Sequence, residues 1–274
     1  MCWRDSIRPF KLPIWTQSKR CDTIRLTQPA TLLVLNLAEG SQILSRSNLA
    51  ILAYEETSLG LLCLRRRELL SSPGTVVTEV TLNHEFLMSS FNTDSERAIS
   101  NCSVEIHGGK QLTALVGGLG LGYTAFELLE HANVESVEVV EFLPPVIDWM
   151  RDGLIPLSEE LNDSTKLVVS LGDVYERLRS EPAKRFDLIV IDVDHSPDDQ
   201  LSDEEHPFYT EDGLRLAKEH LAEGGVLAIW SYAESSEFAD ALKRVFDQVE
   251  VRPVTTFNSL VDQEQTDWLF FGVR

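Results

Sequence analysis

Short apolar runs separated by amphipathic stretches set the rhythm of the chain from about residue 110 to the C-terminus. Leu112–Val116, Ser136–Val140, Lys166–Ser170, Asp187–Asp192, Gly225–Ser231, Val249–Val254 and Trp268–Val273 are rich in β-branched and large apolar residues and predict strands. Between them, Tyr123–His131, Pro145–Arg151, Val174–Arg179, Thr210–Leu221 and Ser235–Phe246 predict helices. Pro144-Pro145 suits a helix start, where the missing N–H has no intrahelical partner to lose. Gly224-Gly225 reads as the stop of the helix that ends Lys218-Glu219-His220. Strand–helix alternation of this kind predicts a parallel sheet with crossover helices.

Upstream the texture changes. Thr31–Leu37, Ala50–Tyr54, Leu61–Leu64 and Val76–Leu82 are short apolar or alternating runs. They are parted by the turn-forming Ala38-Glu-Gly-Ser41, Glu55-Glu-Thr-Ser58 and Ser71-Ser-Pro-Gly74. These runs predict a small antiparallel β-domain behind an irregular arm over residues 1 to about 25, and Asp94–Ser100 opens a short helix. The expected division is an arm and small β-domain over 1–107 and an α/β domain over 108–274.

The stretch Leu112–Gly122 carries the most information. An apolar run enters Gly117-Gly-Leu-Gly-Leu-Gly122, with four glycines in six positions, and reads as a buried strand running into a tight turn. Glycine is needed where the backbone takes unusual dihedrals or where a ligand approaches closer than a Cβ allows. Glu141 closes the next apolar run about 20 residues on, where nucleotide-binding α/β folds place an acid that accepts hydrogen bonds from ribose hydroxyls. Gly117, Gly118, Gly120, Gly122 and Glu141 therefore predict a nucleoside-cofactor site at the carboxyl edge of a parallel sheet. The cofactor stays open, since Gly120-Leu-Gly122-Tyr-Thr-Ala125 also satisfies the permissive dinucleotide form. Two further strand ends add acids. Asp173, after Gly172, either caps the helix beginning at Val174 or meets an exocyclic adenine amine; Asp192 ends the fourth strand of the α/β region.

At 274 residues the chain can bury a full core. Its formal net charge of −20 argues against a nucleic-acid-binding surface, and the summed field suits a cationic small molecule. Cys2, Cys21, Cys63 and Cys102 form no CxxC pair and no zinc-like grouping, so they read as reduced structural thiols. Met1–Phe10 lacks a signal-peptide core and no apolar run reaches bilayer length. A soluble, cytoplasmic protein is expected, with neither metal nor membrane as partner. The segment Asp192–His206 holds seven carboxylates and two histidines without a lysine or arginine. It reads either as a solvated acidic loop or as the mouth of a pocket for a cation, with Asp192 and Asp194 innermost. It lacks the regular oxygen spacing of hard-metal loops. Phe208-Tyr209 follow directly, aromatics suited to covering an alkyl or ammonium group or to anchoring a helix start.

The last two strands come without a long helix between them. A closing β-hairpin after five alternating units resembles the class I methyltransferase fold, an α/β architecture with a mostly parallel seven-stranded sheet. Within it, Val116–Gly122, Val137–Glu141, Gly172-Asp173, Phe186–Asp192, Pro207–Tyr209 and Ala222–Val226 resemble the spermidine synthase (polyamine aminopropyltransferase) family, over a stretch from about residue 60 to the C-terminus. The resemblance implies a small N-terminal β-domain, a homodimer formed through it, and an adenosyl site with Glu141 on the ribose and Asp173 on the adenine. It implies decarboxylated S-adenosylmethionine as co-substrate and a small cationic amine or polyamine as acceptor. Asp192 would orient the acceptor amine and take its proton, with Asp194, His195 and Tyr209 binding the acceptor.

The chain departs from the family pattern at three places. Gly120 stands where the glycine turn usually carries an aspartate that holds the aminopropyl amine, His195 stands where a second acid is expected, and no Tyr-His-Glu stretch appears around Leu82–Ser90. Two alternatives follow: a methyltransferase using S-adenosylmethionine itself, which Gly118-x-Gly120-x-Gly122 also suits, and a non-catalytic nucleoside-binding protein. An NAD-dependent oxidoreductase would meet only the permissive glycine pattern.

Overall fold

In the computed structural model, which describes residues 48–201, 207–260 and 262–274, the upstream alternation folds into a four-stranded antiparallel sheet. Its strands β1 (Leu49–Thr57), β2 (Gly60–Glu68), β3 (Val76–Leu82) and β4 (Glu85–Ser89) lie in chain order. The first hairpin turns at Ser58-Leu59 rather than across Glu55–Ser58, because β1 stays paired with β2 as far as Thr57. The expected arm, the strand Thr31–Leu37, the turn Ala38–Ser41 and Cys2 and Cys21 lie outside the described residues.

Helix α1 (Asp94–His107) follows. It runs past the short helix expected at Asp94–Ser100, because Ile99 and Val104 repeat the apolar face and bury it. Gly108, in the left-handed region at φ +65°, ends it.

The large sheet is then laid down as β5 (Leu112–Gly117), α2 (Tyr123–Glu130), β6 (Val134–Glu141), α3 (Pro144–Arg151), α4 (Ser158–Asp163), β7 (Leu167–Leu171), α5 (Val174–Arg179) and β8 (Phe186–Ile191). A 3₁₀ turn at Pro207–Tyr209, α6 (Glu211–Glu219), β9 (Leu221–Ser231), α7 (Ser236–Val245), β10 (Gln248–Asn258) and β11 (Gln263–Val273) complete it. The strand order is β10-β11-β9-β8-β5-β6-β7. All neighbours pair in parallel except β11, which is antiparallel to both β9 and β10. The class I methyltransferase-like architecture expected from the closing hairpin is thus present.

Burial on both faces explains why the central strands read as unbroken apolar runs. Leu115 and Val116, Ile189 and Val190, Leu227 and Ala228 are all fully buried. On one face they share a core with Ile99 of α1 and with Leu62, Leu64 and Val80 of the small sheet. The other face is covered by α5, α6 and α7 through Leu178, Leu214 and Leu242.

One expectation needs correction. Gly224-Gly225 does not stop a helix: α6 ends at Glu219 and β9 has begun by Leu221. Gly224, at φ +76°, sits inside β9, where pairing with β8 shifts register between Phe186 and Leu188. The glycines bend the strand there as in a β-bulge.

Candidate active site

Strand order reverses between β5 and its neighbours β6 and β8, so the carboxyl ends of these strands open into one crevice, the usual ligand position in such sheets. The glycine turn leaves β5 there and enters α2. At Gly118 (φ +89°) an added Cβ would lie 2.3 Å from the backbone oxygen of Asp192, so the turn can seat on the end of β8 only with glycine in that place. At Gly120 (φ +54°) an added Cβ would lie 3.1 Å from Sδ of Met88, which arrives from the small sheet.

The crevice is a cavity of about 400 Å³ lined by Gly118, Gly120, Glu141, Asp173, Asp192 and Asp194. Sequence reasoning named these six separately, and the fold brings them together. Gly117 and Gly122 flank the turn. A Cβ on Gly117 would meet Val174 at 2.8 Å, and one on Gly122 would meet Leu161 at 2.4 Å, so both serve packing.

Glu141 ends β6 and is buried. Its Oε2 accepts the Leu119 N–H and its Oε1 the Leu143 N–H, each at 2.7 Å. Burial pushes its pKa up, and the backbone N–H groups of Leu143, Leu119, Gly120 and Phe142 oppose that rise by bonding the ionised form. The carboxylate therefore braces the glycine turn as well as facing the cavity. Asp173 caps α5, with Oδ1 accepting from Tyr175 N–H at 2.8 Å and Glu176 N–H at 3.3 Å. Only one of its oxygens is used in the cap.

Asp192 accepts at Oδ2 a hydrogen bond from Thr124 Oγ1 at 2.6 Å. Its other oxygen meets no donor among the described residues. Burial raises its pKa, Thr124 works against the rise, and the charge of Asp267 adds to it. Behind it lie two acids that sequence reasoning missed, Glu96 of α1 and Asp267 of β11. Glu96 is pushed up to about 8 by burial and then by the charge of Asp192. The hydrogen bonds agree with a protonated Glu96. Ser95 Oγ accepts Trp230 Nε1–H at 3.0 Å and lies 2.7 Å from Asp267 and 3.1 Å from Glu96. One hydroxyl proton cannot serve both carboxylates, so a proton on Glu96 completes the set.

Asp194 is buried, with a donor on each oxygen. Tyr175 and Tyr209 donate their hydroxyls to its Oδ2 at 2.5 and 2.9 Å, and Leu201 N–H reaches Oδ1 at 2.8 Å. Burial, followed by the neighbouring ionisable groups, holds both phenols well above their ordinary value, so they remain donors. Tyr209 also packs edge-on against Phe208 and Phe238. It therefore holds Asp194 in place and is not itself part of the cavity lining. His195 is not brought to this cavity. With Asp194 turned inward, the next residue faces a neighbouring recess, where its ring meets Tyr232 edge-on at 6.3 Å.

Strand order, the closing antiparallel hairpin and a cavity at the carboxyl edge place the chain in the methyltransferase-like α/β class. Residues 94–256 match the Spermine/spermidine synthase domain, and the chain belongs to that family. It is 31% identical over 124 residues to polyamine aminopropyltransferase 2 of Streptomyces coelicolor, covering 44% of this chain and 22% of that protein. It is also 31% identical over 78 residues to putrescine N-methyltransferase 2 of Nicotiana attenuata, covering 28% of this chain and 20% of that protein. The matches thus span about a fifth of the length of these two relatives. In fold the chain resembles spermidine synthase from Thermotoga maritima, with a TM-score of 0.64 at 18% identity, covering 81% of this chain and 72% of that one.

Proposed function

We propose that the protein is a transferase that moves an aminopropyl group from decarboxylated S-adenosylmethionine to an amine acceptor. One observation carries the reading: a single cavity gathers the glycine turn, Glu141, Asp173 and a carboxylate with accepting capacity left, Asp192. The first three suit an adenosyl group, with apolar Val140, Phe142 and Val174 beside them for the base. The co-substrate supplies a sulfonium, an already activated leaving group. The acceptor nitrogen attacks the carbon beside sulfur, the C–S bond breaks with its electron pair passing to sulfur, and neutral methylthioadenosine departs. The protein's task is alignment and removal of one proton. Asp192 would orient the amine and receive that proton directly or through water. The reading carries with it a cytoplasmic setting and the division at residues 107 and 108.

A second reading, methyl transfer from S-adenosylmethionine, is favoured by Met88 lying over Gly120, where the turn itself carries glycine in place of an acid for an aminopropyl amine. Mass spectrometry of a reaction with either sulfonium and a mixture of mono- and diamines separates the two. Methylthioadenosine together with an amine enlarged by one aminopropyl unit is the expected result. S-adenosylhomocysteine with a methylated amine would replace it by the second reading, and neither product from folded protein would overturn both.

A further inference from the structure

Part of the cavity wall comes from the small sheet, and its chemistry follows from an irregularity in pairing. Met88 opposes Val80 and Phe86 opposes Thr81, which leaves Leu87 as an extra residue in β4. Neighbours in a regular strand point to opposite faces. The bulge instead turns both Leu87 and Met88 into the cavity. Leu59, Leu62 and Val80 complete the wall, and no charged side chain of the small sheet, among the described residues, lines it. Of the other acids in the lining, Glu141 is engaged by backbone N–H groups, Asp194 by two tyrosines and Leu201, and Glu176 by Arg179, while Asp173 caps α5 and is assigned to the adenosyl group. Asp192 keeps an oxygen that meets no donor among the described residues.

We infer that the acceptor is a monoamine with an apolar body, whose alkyl or aryl group packs on Leu59, Leu87 and Met88 while its one amine faces Asp192. The inference rests on the transferase reading and holds for either donor. A second ammonium against this wall would lose hydration with no charged side chain of the small sheet, among the described residues, to replace it, whereas a hydrocarbon body gains by burial. A neighbouring recess of about 390 Å³ shares Leu59 and Leu87 and carries Glu85 and Asp199. Both carboxylates are exposed, and exposed ion pairs contribute little.

The test is calorimetric titration of amines into the full chain, with and without saturating 5′-methylthioadenosine. Both 3-methylbutylamine and 2-phenylethylamine are expected to bind at least about tenfold more tightly than 1,4-diaminobutane, as burial of their hydrocarbon requires. Met88→Gln is expected to erase most of that preference. Equal or tighter binding of the diamine overturns the inference, and loss of that binding in Glu85→Gln would assign the second recess as the reason. A preference unmoved by Met88→Gln, or no amine binding at all, overturns it as well. Failure of methylthioadenosine to bind counts against the adenosyl reading alone, because the amine ranking is also read in its absence.

Discussion

Asp192 faces the cavity from in front of two other acids, and their protonation decides how much negative charge the site holds. Glu96 is the group to watch, with Asp192, Asp267 and Tyr123 as its titratable neighbours. In the unfolded chain a glutamate ionises near about pH 4.3, whereas folded Glu96 keeps its proton to about 8. Between these values the native state binds more protons than the unfolded one, so Glu96 lowers stability as pH rises through the window. The slope is at most about 1.4 kcal/mol per pH unit, and solvent reaching the half-buried side chain narrows the window over which it acts. Glu96→Gln has no such proton to lose. Its melting temperature relative to the parent is expected to climb from pH 5 to pH 8 and then level off, as thermal unfolding at a series of pH values would show. A difference that stays flat across this range would mean that Glu96 ionises normally.

At the level of elements, the start of α5 combines two duties in Asp173, capping and facing the cavity. Substitution separates them. Asp173→Asn retains a good cap and is expected to unfold within about 0.5 kcal/mol of the parent, while Asp173→Ala loses about 1 kcal/mol. Both should weaken methylthioadenosine binding by roughly tenfold, the worth of one hydrogen bond. Undiminished binding by Asp173→Asn would leave the residue with capping alone. The strands of the large sheet were legible in the sequence because burial on both faces makes them continuous apolar runs. The acids at their ends were legible because each closes a run. β4 was not, since its hairpin turns on Asn83-His84, at φ +51° and +72°, where glycine is the usual signal. Gly224 misled because a helix stop and a strand bulge both use a left-handed glycine. Glu96, Thr124, Asp267 and Met88 stayed hidden for another reason: only the packing of α1, α2, β11 and β4 brings them to Asp192 and the glycine turn.

Across the whole molecule a net charge of −20 produces a field that favours a cationic ligand, and the described cavity lining includes Glu141, Asp173, Asp192 and Asp194. Of these four, Asp192 combines a raised pKa with an oxygen that no donor occupies among the described residues. In the proposed transfer, this residue is where the acceptor would lose its proton. The most direct measurement is the rate of methylthioadenosine formation from decarboxylated S-adenosylmethionine and amine by the parent and by Asp192→Asn, with methylthioadenosine affinity measured on both. The expected result is a rate lower by roughly a hundredfold or more, the scale of general-base catalysis, with affinity unchanged. A variant that turns over as fast as its parent would contradict the account.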